Sequence, residues 1–319
     1  MWAGLGFALA AGLMWGLVFV SPLLLPDYPA LMLSLGRYLA FGLIALPLGW
    51  FDRAELARLS RADWLEALKL AAVGNLIYYL LLASAIQRAG APLPTMIIGT
   101  LPVMIPICAN LFNHQRDGRL RWSALAPSLL LIAAGIACVN QVELGRLAAD
   151  AGGDGIRYAI GALLAVGAML CWTWYPIRNS NWMRAHPDRN PRAWSTAQGL
   201  ATLPLALCGF AVFAATNAIG ITSLPLPLGP EPAGYIGLML AVGFFASWLG
   251  TLCWNAASQR LPTSLAGQLI VFETISALAY AFMLRGQWPA PLTALGIGLL
   301  LAGVLLGTRV RAEPVESAH

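Results

Sequence analysis

Ten apolar stretches of about twenty residues each, joined by short connections, run almost end to end through this 319-residue chain. They fall at about 2–20, 31–49, 65–87, 93–112, 122–141, 157–178, 193–215, 233–258, 265–284 and 291–308. Roughly 20 apolar residues carry an α-helix across the hydrocarbon core of a bilayer. Backbone groups in lipid must bond within the chain, which leaves only helices and closed barrels. The stretches lack the two-residue alternation of barrel strands, so they read as helices. Charged residues make up 10% of the chain and mean hydropathy is +0.72, whereas soluble domains carry roughly 25% charge. The expected architecture is an all-α integral membrane protein, with residues 1–319 forming a single transmembrane domain.

A repeat divides that domain. The stretch from Gly4 to Gly16, GLGFALAAGLMWG, returns from Gly161 to Thr173 as GALLAVGAMLCWT, which aligns Trp15 with Trp172. The same offset of 157 sets Leu46-Pro47-Leu48 on Leu203-Pro204-Leu205, and an offset of 172 sets Gln87-Arg88 on Gln259-Arg260. Three matches in order imply one unit used twice, repeat one at about 2–141 and repeat two at about 157–309, with 310–319 as a cytoplasmic tail. In a membrane chain such duplication points to a transporter. Five spans is an odd number, so the second copy must be inverted. The charges agree. The connection at 50–64 holds Arg53, Arg58 and Arg61, while its counterpart at about 216–232 holds no Lys or Arg. The connection at 21–30 holds none, while its counterpart at 179–192 holds Arg184, Arg189 and Arg192.

The basic pI of about 9.1 does not indicate nucleic acid, because the arginines are scattered through short connections. With the N-terminus cytoplasmic, thirteen of the basic residues fall in cytoplasmic connections and four in outer ones. That bias follows the positive-inside rule and places both termini in the cytoplasm of a bacterial inner (plasma) membrane. The first stretch lacks a basic leader and a clear cleavage site, so it reads as a retained helix. Cys108, Cys138, Cys171, Cys208 and Cys253 lie in apolar segments without metal-ligand spacing and read as packing residues. His114, His186 and His319 fall in connections or the tail. No metal or cofactor is expected. The expected partners are a small-molecule solute and lipid, without nucleic acid, in a monomer or alternatively a dimer. No polar catalytic cluster is visible at an interface, which argues against an intramembrane enzyme.

Aromatic residues sort by depth. Trp2, Trp50, Trp64, Trp122, Trp182, Trp194 and Trp288 lie near segment ends and read as interfacial anchors. Trp15, Trp172, Trp174, Trp248, Trp254, Tyr78, Tyr79 and Tyr280 lie deeper, where each polar tip needs a partner that lipid does not supply. Trp15 and Trp172 are expected to narrow opposite ends of a path. Segment 3 sets Asn75, Tyr78, Tyr79 and Leu82 on one helical face. Segment 4 aligns Thr95, Gly99, Pro102 and Pro106, and its prolines free backbone carbonyls at mid-membrane, where transporters bind solutes. Segment 8 carries Gly243, Ser247, Gly250 and Trp254, small residues that also let helices approach closely. Glu273 is the one acid deep inside a segment, with Ser276 and Tyr280 at i+3 and i+7. Such a carboxyl is either functional or tied to a neighbour such as Arg37.

These features resemble the drug/metabolite transporter superfamily, and within it the ten-helix EamA-type exporters. The resemblance rests on the small-rich helices ending in Trp15 and Trp172, on Arg37, on the run from Pro92 to Val103, and on its echo from Pro262 to Thr274. Where that family often shows a Leu-Glu-Pro-like element, Leu101-Pro102 keeps the proline and Glu273-Thr274 keeps the acid. The family's frequent glutamate at these helix ends is absent around Asn113 and Arg285. The resemblance implies a basket in which helices 1, 3, 4, 6, 8 and 9 surround a central cavity, with helices 5 and 10 peripheral. It implies export of small metabolites, commonly amino acids, and the aromatic midplane is similar to the branch that exports aromatic and other neutral amino acids. Efflux of drugs or quaternary amines is the alternative.

Overall fold

A computed structural model describes residues 2–89, 92–112, 120–150, 155–219, 228–286 and 288–310. Among the described residues every regular element is helical. The elements are α1 (Trp2–Leu24), α2 (Ala30–Phe51), α3 (Arg53–Leu56), α4 (Arg61–Leu70), α5 (Tyr78–Ala89), α6 (Pro92–Ile98), α7 (Leu101–Phe112), α8 (Trp122–Asp150) and α9 (Gly155–Ala185). They continue as α10 (Pro191–Ala218), α11 (Pro232–Val242), α12 (Gly250–Ser258), α13 (Thr263–Leu269), α14 (Val271–Arg285) and α15 (Pro291–Gly307). Among the described residues seven helical stretches are long and apolar enough to cross a membrane, and three shorter apolar helices, Leu101–Phe112, Trp122–Cys138 and Pro291–Gly307, accompany them.

Local chemistry sets the boundaries. Ser60 and Asp63 form a reciprocal capping box that starts α4, so the 50–64 connection is one helical turn followed by the first turn of a long helix. Asn190 caps α10 by accepting a hydrogen bond from the Arg192 amide at 2.9 Å, with Pro191 in the first turn. Gly286, at φ 59°, closes α14 in the left-handed conformation that favours glycine.

Four interruptions break the long rods. A wide π turn at Ala71–Ile77 joins α4 to α5, and another at Gly243–Leu249 joins α11 to α12, 172 positions further on. Gly99 and Thr100 separate α6 from α7, while Ile270 separates α13 from α14. The prolines of segment 4 announce the first break. The second has no proline at all, and the sequence reading missed it.

Packing is close. α1 lies along α14 and α12, α2 along α10, α5 along α9, α7 along α13, and α8 along α15. A methyl group added at Gly16 would lie 2.7 Å from Ser276 Cβ, so glycine sets the approach of α1 to α14. Trp2, Trp50 and Trp288 are exposed, as interfacial anchors should be. Trp182 and Trp194 are not anchors. Both are buried, their rings stack with centroids 3.4 Å apart, and their indole N–H groups donate to Asp63 Oδ1 and Asn179 Oδ1 at 3.0 Å.

Candidate functional site

The deep aromatics of separate helices meet in one cluster. Tyr78, at the start of α5 just past the first π turn, stacks on Trp172 of α9 with ring centroids 4.7 Å apart. Trp172 stacks in turn on Tyr175 at 5.0 Å. Trp15 of α1 meets Trp172 edge-on at 5.4 Å and lies 5.3 Å from Trp254 of α12. Trp15 and Trp172 therefore cannot narrow opposite ends of a path. Each helix extends beyond the segment read from hydropathy, which moves both tryptophans to mid-helix, where α1 and α9 pass each other. The rings fill the centre: Trp15, Trp172 and Trp254 are 4, 7 and 1% exposed.

Two buried charges flank the rings. Arg37 of α2 lies over the rings of Tyr38 and Tyr79 at 5.0 and 5.5 Å, a favourable placement for a guanidinium. Its Nε donates to Ser247 Oγ at 2.9 Å, a hydroxyl carried by the second π turn. Glu273, in the first turn of α14, is 5% exposed. The two form no ion pair within 4 Å, although Arg37 acts electrostatically on both Glu273 and Tyr78. Glu273 Oε2 is buried without a hydrogen-bond partner, and so are the indole N–H groups of Trp172 and Trp254. Burying such groups unpaired costs about 1–3 kcal/mol each.

The other candidates are placed less centrally. Asn75 donates to Thr202 Oγ1 of α10 at 3.3 Å. Trp248 donates to Thr196 Oγ1 at 3.2 Å and stacks on Phe244. Ser276 bonds the Phe272 carbonyl of its own helix, and Tyr280 donates to the Leu13 carbonyl at 2.9 Å, so both belong to the seam between α1 and α14. Trp174 is half-buried against the core. Gly99 and Pro102 are buried at the break between α6 and α7. The side chain of Thr95 lies outside the described residues, as do His114, Asn113 and His319.

Beneath the rings lies a polar network that the sequence did not announce. Tyr175 OH donates to Gln198 Oε1 at 2.9 Å, Gln198 Nε2 donates to Asn179 Oδ1 at 3.1 Å, and Asn179 Nδ2 donates to Asn255 Oδ1 at 2.8 Å. Gln198, Asn179 and Asn255 are each 0% exposed. Three acids were also missed. Asp52 accepts from Arg192 Nε at 2.9 Å and from Thr196 Oγ1 at 3.0 Å. Glu66 accepts from Arg178 Nη2 at 2.9 Å, and Asp63 accepts from Trp182. A pocket of about 710 Å³ opens beside them, lined by Asp63, Glu66, Arg178, Trp182 and Arg189 among others. Contrary to the sequence reading, a polar cluster does form at one end of the bundle, and these pairs take up the charges of Asp52, Glu66, Arg178 and Arg192. The opposite end is tied by Tyr28, whose hydroxyl donates to the Leu228 carbonyl at 2.8 Å and accepts from the Glu231 amide at 2.9 Å. Tyr28 also stacks on Tyr235 at 4.9 Å.

Known proteins resemble this chain in sequence and in fold. Residues 2–141 match the EamA-like transporter family. Inner membrane protein YtfF of Escherichia coli (strain K12) is 52% identical over 313 residues, covering 98% of this chain and 97% of that protein. A solved crystal structure superposes with a TM-score of 0.70 over 96% of this chain and 97% of its own, at 18% identity, which is a likeness of fold. Apolar helices, a buried aromatic and charged centre, and a full-length relative lead to one conclusion: the chain is a multi-pass membrane protein of the EamA-like transporter family, within the drug/metabolite transporter superfamily.

Proposed function

We propose that the chain is two inverted five-helix halves, about 2–141 and 157–309, that carry amino acids or similar small metabolites out of the cytoplasm by alternating access. The favoured solutes are aromatic or other neutral amino acids. The observation that carries this reading is the correspondence of interruptions. The two π turns lie 172 positions apart, the offset that aligns Gln87-Arg88 with Gln259-Arg260, and the two helix breaks lie about as far apart. The packing has the same symmetry. α5 on α9 answers α12 on α1, α6 on α9 answers α13 on α1, and α7 on α9 answers α14 on α1. Paired irregular segments around a midplane site are what a carrier built of inverted repeats requires.

In this reading the inner membrane holds the protein, as the name of its Escherichia coli relative states for that relative. Both termini and the charged end face the cytoplasm, following the arginine bias. The solute sits among Trp15, Tyr78, Tyr79, Trp172 and Glu273, while the ionic and tyrosine fastenings open alternately. Trp15 and Trp172 act together at the centre. The unpaired Glu273 carboxylate beside aromatic rings also suits a lipophilic or quaternary amine, which keeps amine efflux as the second reading.

The test is a flux panel with the full chain in proteoliposomes, using labelled phenylalanine, tryptophan, leucine and a lipophilic cation. Saturable flux of the amino acids, reduced at least about 10-fold by Trp172→Ala, is expected. Flux of the cation alone would favour amine efflux, and flux of none of them would overturn both readings.

A further inference from the structure

Resting on the transport reading above, we propose that Arg37 and Glu273 recognise opposite ends of a zwitterionic solute, its carboxylate at Arg37 and its ammonium at Glu273, with its apolar part against Tyr78 and Trp172. Buried ions of opposite sign within a membrane ordinarily pair with one another. Here Arg37 turns its Nε to Ser247 and its face to Tyr38 and Tyr79 instead. A guanidinium offers five N–H donors in a fork that fits a carboxylate, and this one makes a single hydrogen bond among the described residues. Glu273 Oε2 is an acceptor buried without a partner.

The requirement is two-sided. The indole N–H of Trp172, in the same cluster, is a second donor without an acceptor. A cation would satisfy Glu273 and leave the Trp172 indole N–H without an acceptor and the Arg37 guanidinium without an anionic partner, and an anion would do the reverse. A molecule carrying both groups satisfies both sides. It also leaves the net charge of the site unchanged, which matters where the surroundings screen charge poorly. Ser247, the anchor of Arg37, sits on the π turn 243–249, so that irregular turn gives the guanidinium its aim. Arg37 is thereby assigned a specificity role and is more than a counter-ion for Glu273.

Binding to the detergent-purified full chain, read from tryptophan emission, tests this separately from flux. The probes are phenylalanine, phenethylamine (no carboxylate) and 3-phenylpropionate (no ammonium). The parent protein is expected to bind phenylalanine at least about 10-fold more tightly than either analogue. Arg37→Gln should weaken phenylalanine while leaving phenethylamine unchanged, Glu273→Gln should weaken phenylalanine while leaving 3-phenylpropionate unchanged, and Arg37→Lys should recover part of the loss. Either analogue binding the parent as tightly as phenylalanine, or no binding of phenylalanine, overturns the proposal even where a variant fails to fold. Folded variants that weaken all three probes equally also overturn it. Binding of phenylalanine without flux in vesicles would overturn the transport reading and leave this one standing.

Discussion

At one end of the bundle, the connection after α1 meets the one before α11 through Tyr28, which bonds two backbone groups and stacks on Tyr235. At the other end, the connection after α2 meets the one before α10 through Asp52, Arg192, Arg58 and Asp188. Under the proposed repeat these two fastenings are counterparts, since each joins corresponding connections of opposite halves. That repeat accounts for their different chemistry, since an inverted copy would send equivalent connections to opposite faces of the membrane, and basic residues concentrate on one face. The neutral fastening depends on hydrogen bonds and ring stacking, and the ionic one on buried acids held by half-exposed arginines. Asp52 and Glu66 side chains are 1 and 9% exposed, while Arg192 and Arg178 are each 50% exposed. Similar architecture can thus be given two different sensitivities to salt.

The contrast can be broken by substitution. Asp52→Ala strips Arg192 and Thr196 of their acceptor and should lower stability by about 1–3 kcal/mol, toward the lower figure because Arg192 reaches solvent. Thermal unfolding in detergent checks this, and an unchanged midpoint would show that the ionic end carries no net stability. Tyr28→Phe removes one donor and one acceptor at the neutral end and should cost about 1–2 kcal/mol. A loss larger than that of Asp52→Ala would reverse the ranking of the two ends. Raising salt from about 0.1 to about 1 M shortens the screening length from about 10 to about 3 Å. It should speed thiol labelling of a cysteine introduced at Arg189 and leave one introduced at Leu228 unaffected. Equal acceleration at both sites would mean that the ends open together. Arg58→Ala should change stability by less than about 1 kcal/mol, because Arg58 and Asp188 are exposed and Glu55 is partly so. A larger loss would make Arg58 a structural part of the ionic end.

Some of the site is written in local sequence. Glu273 stands out because an acid in an apolar run is costly. Pro102 marks a break because proline cannot bond within a helix. The break at Ile270 and the two π turns carry no such residue, and they turn Ser247 and Tyr78 in ways that α-helical spacing does not give. Tyr280 shows the reverse case. By spacing it shares a face with Glu273, yet that face packs on α1, and its hydroxyl is taken by Leu13.

Hydropathy and charge placement alone determined that this chain is helical and lives in lipid, because both follow from the transfer of one segment at a time between water and hydrocarbon. Which tryptophans meet, which acids find arginines and why Glu273 stays unpaired were decided only when the helices packed. Those outcomes depend on the rotation of each rod about its axis, and a single wide turn resets that rotation without leaving a trace in composition.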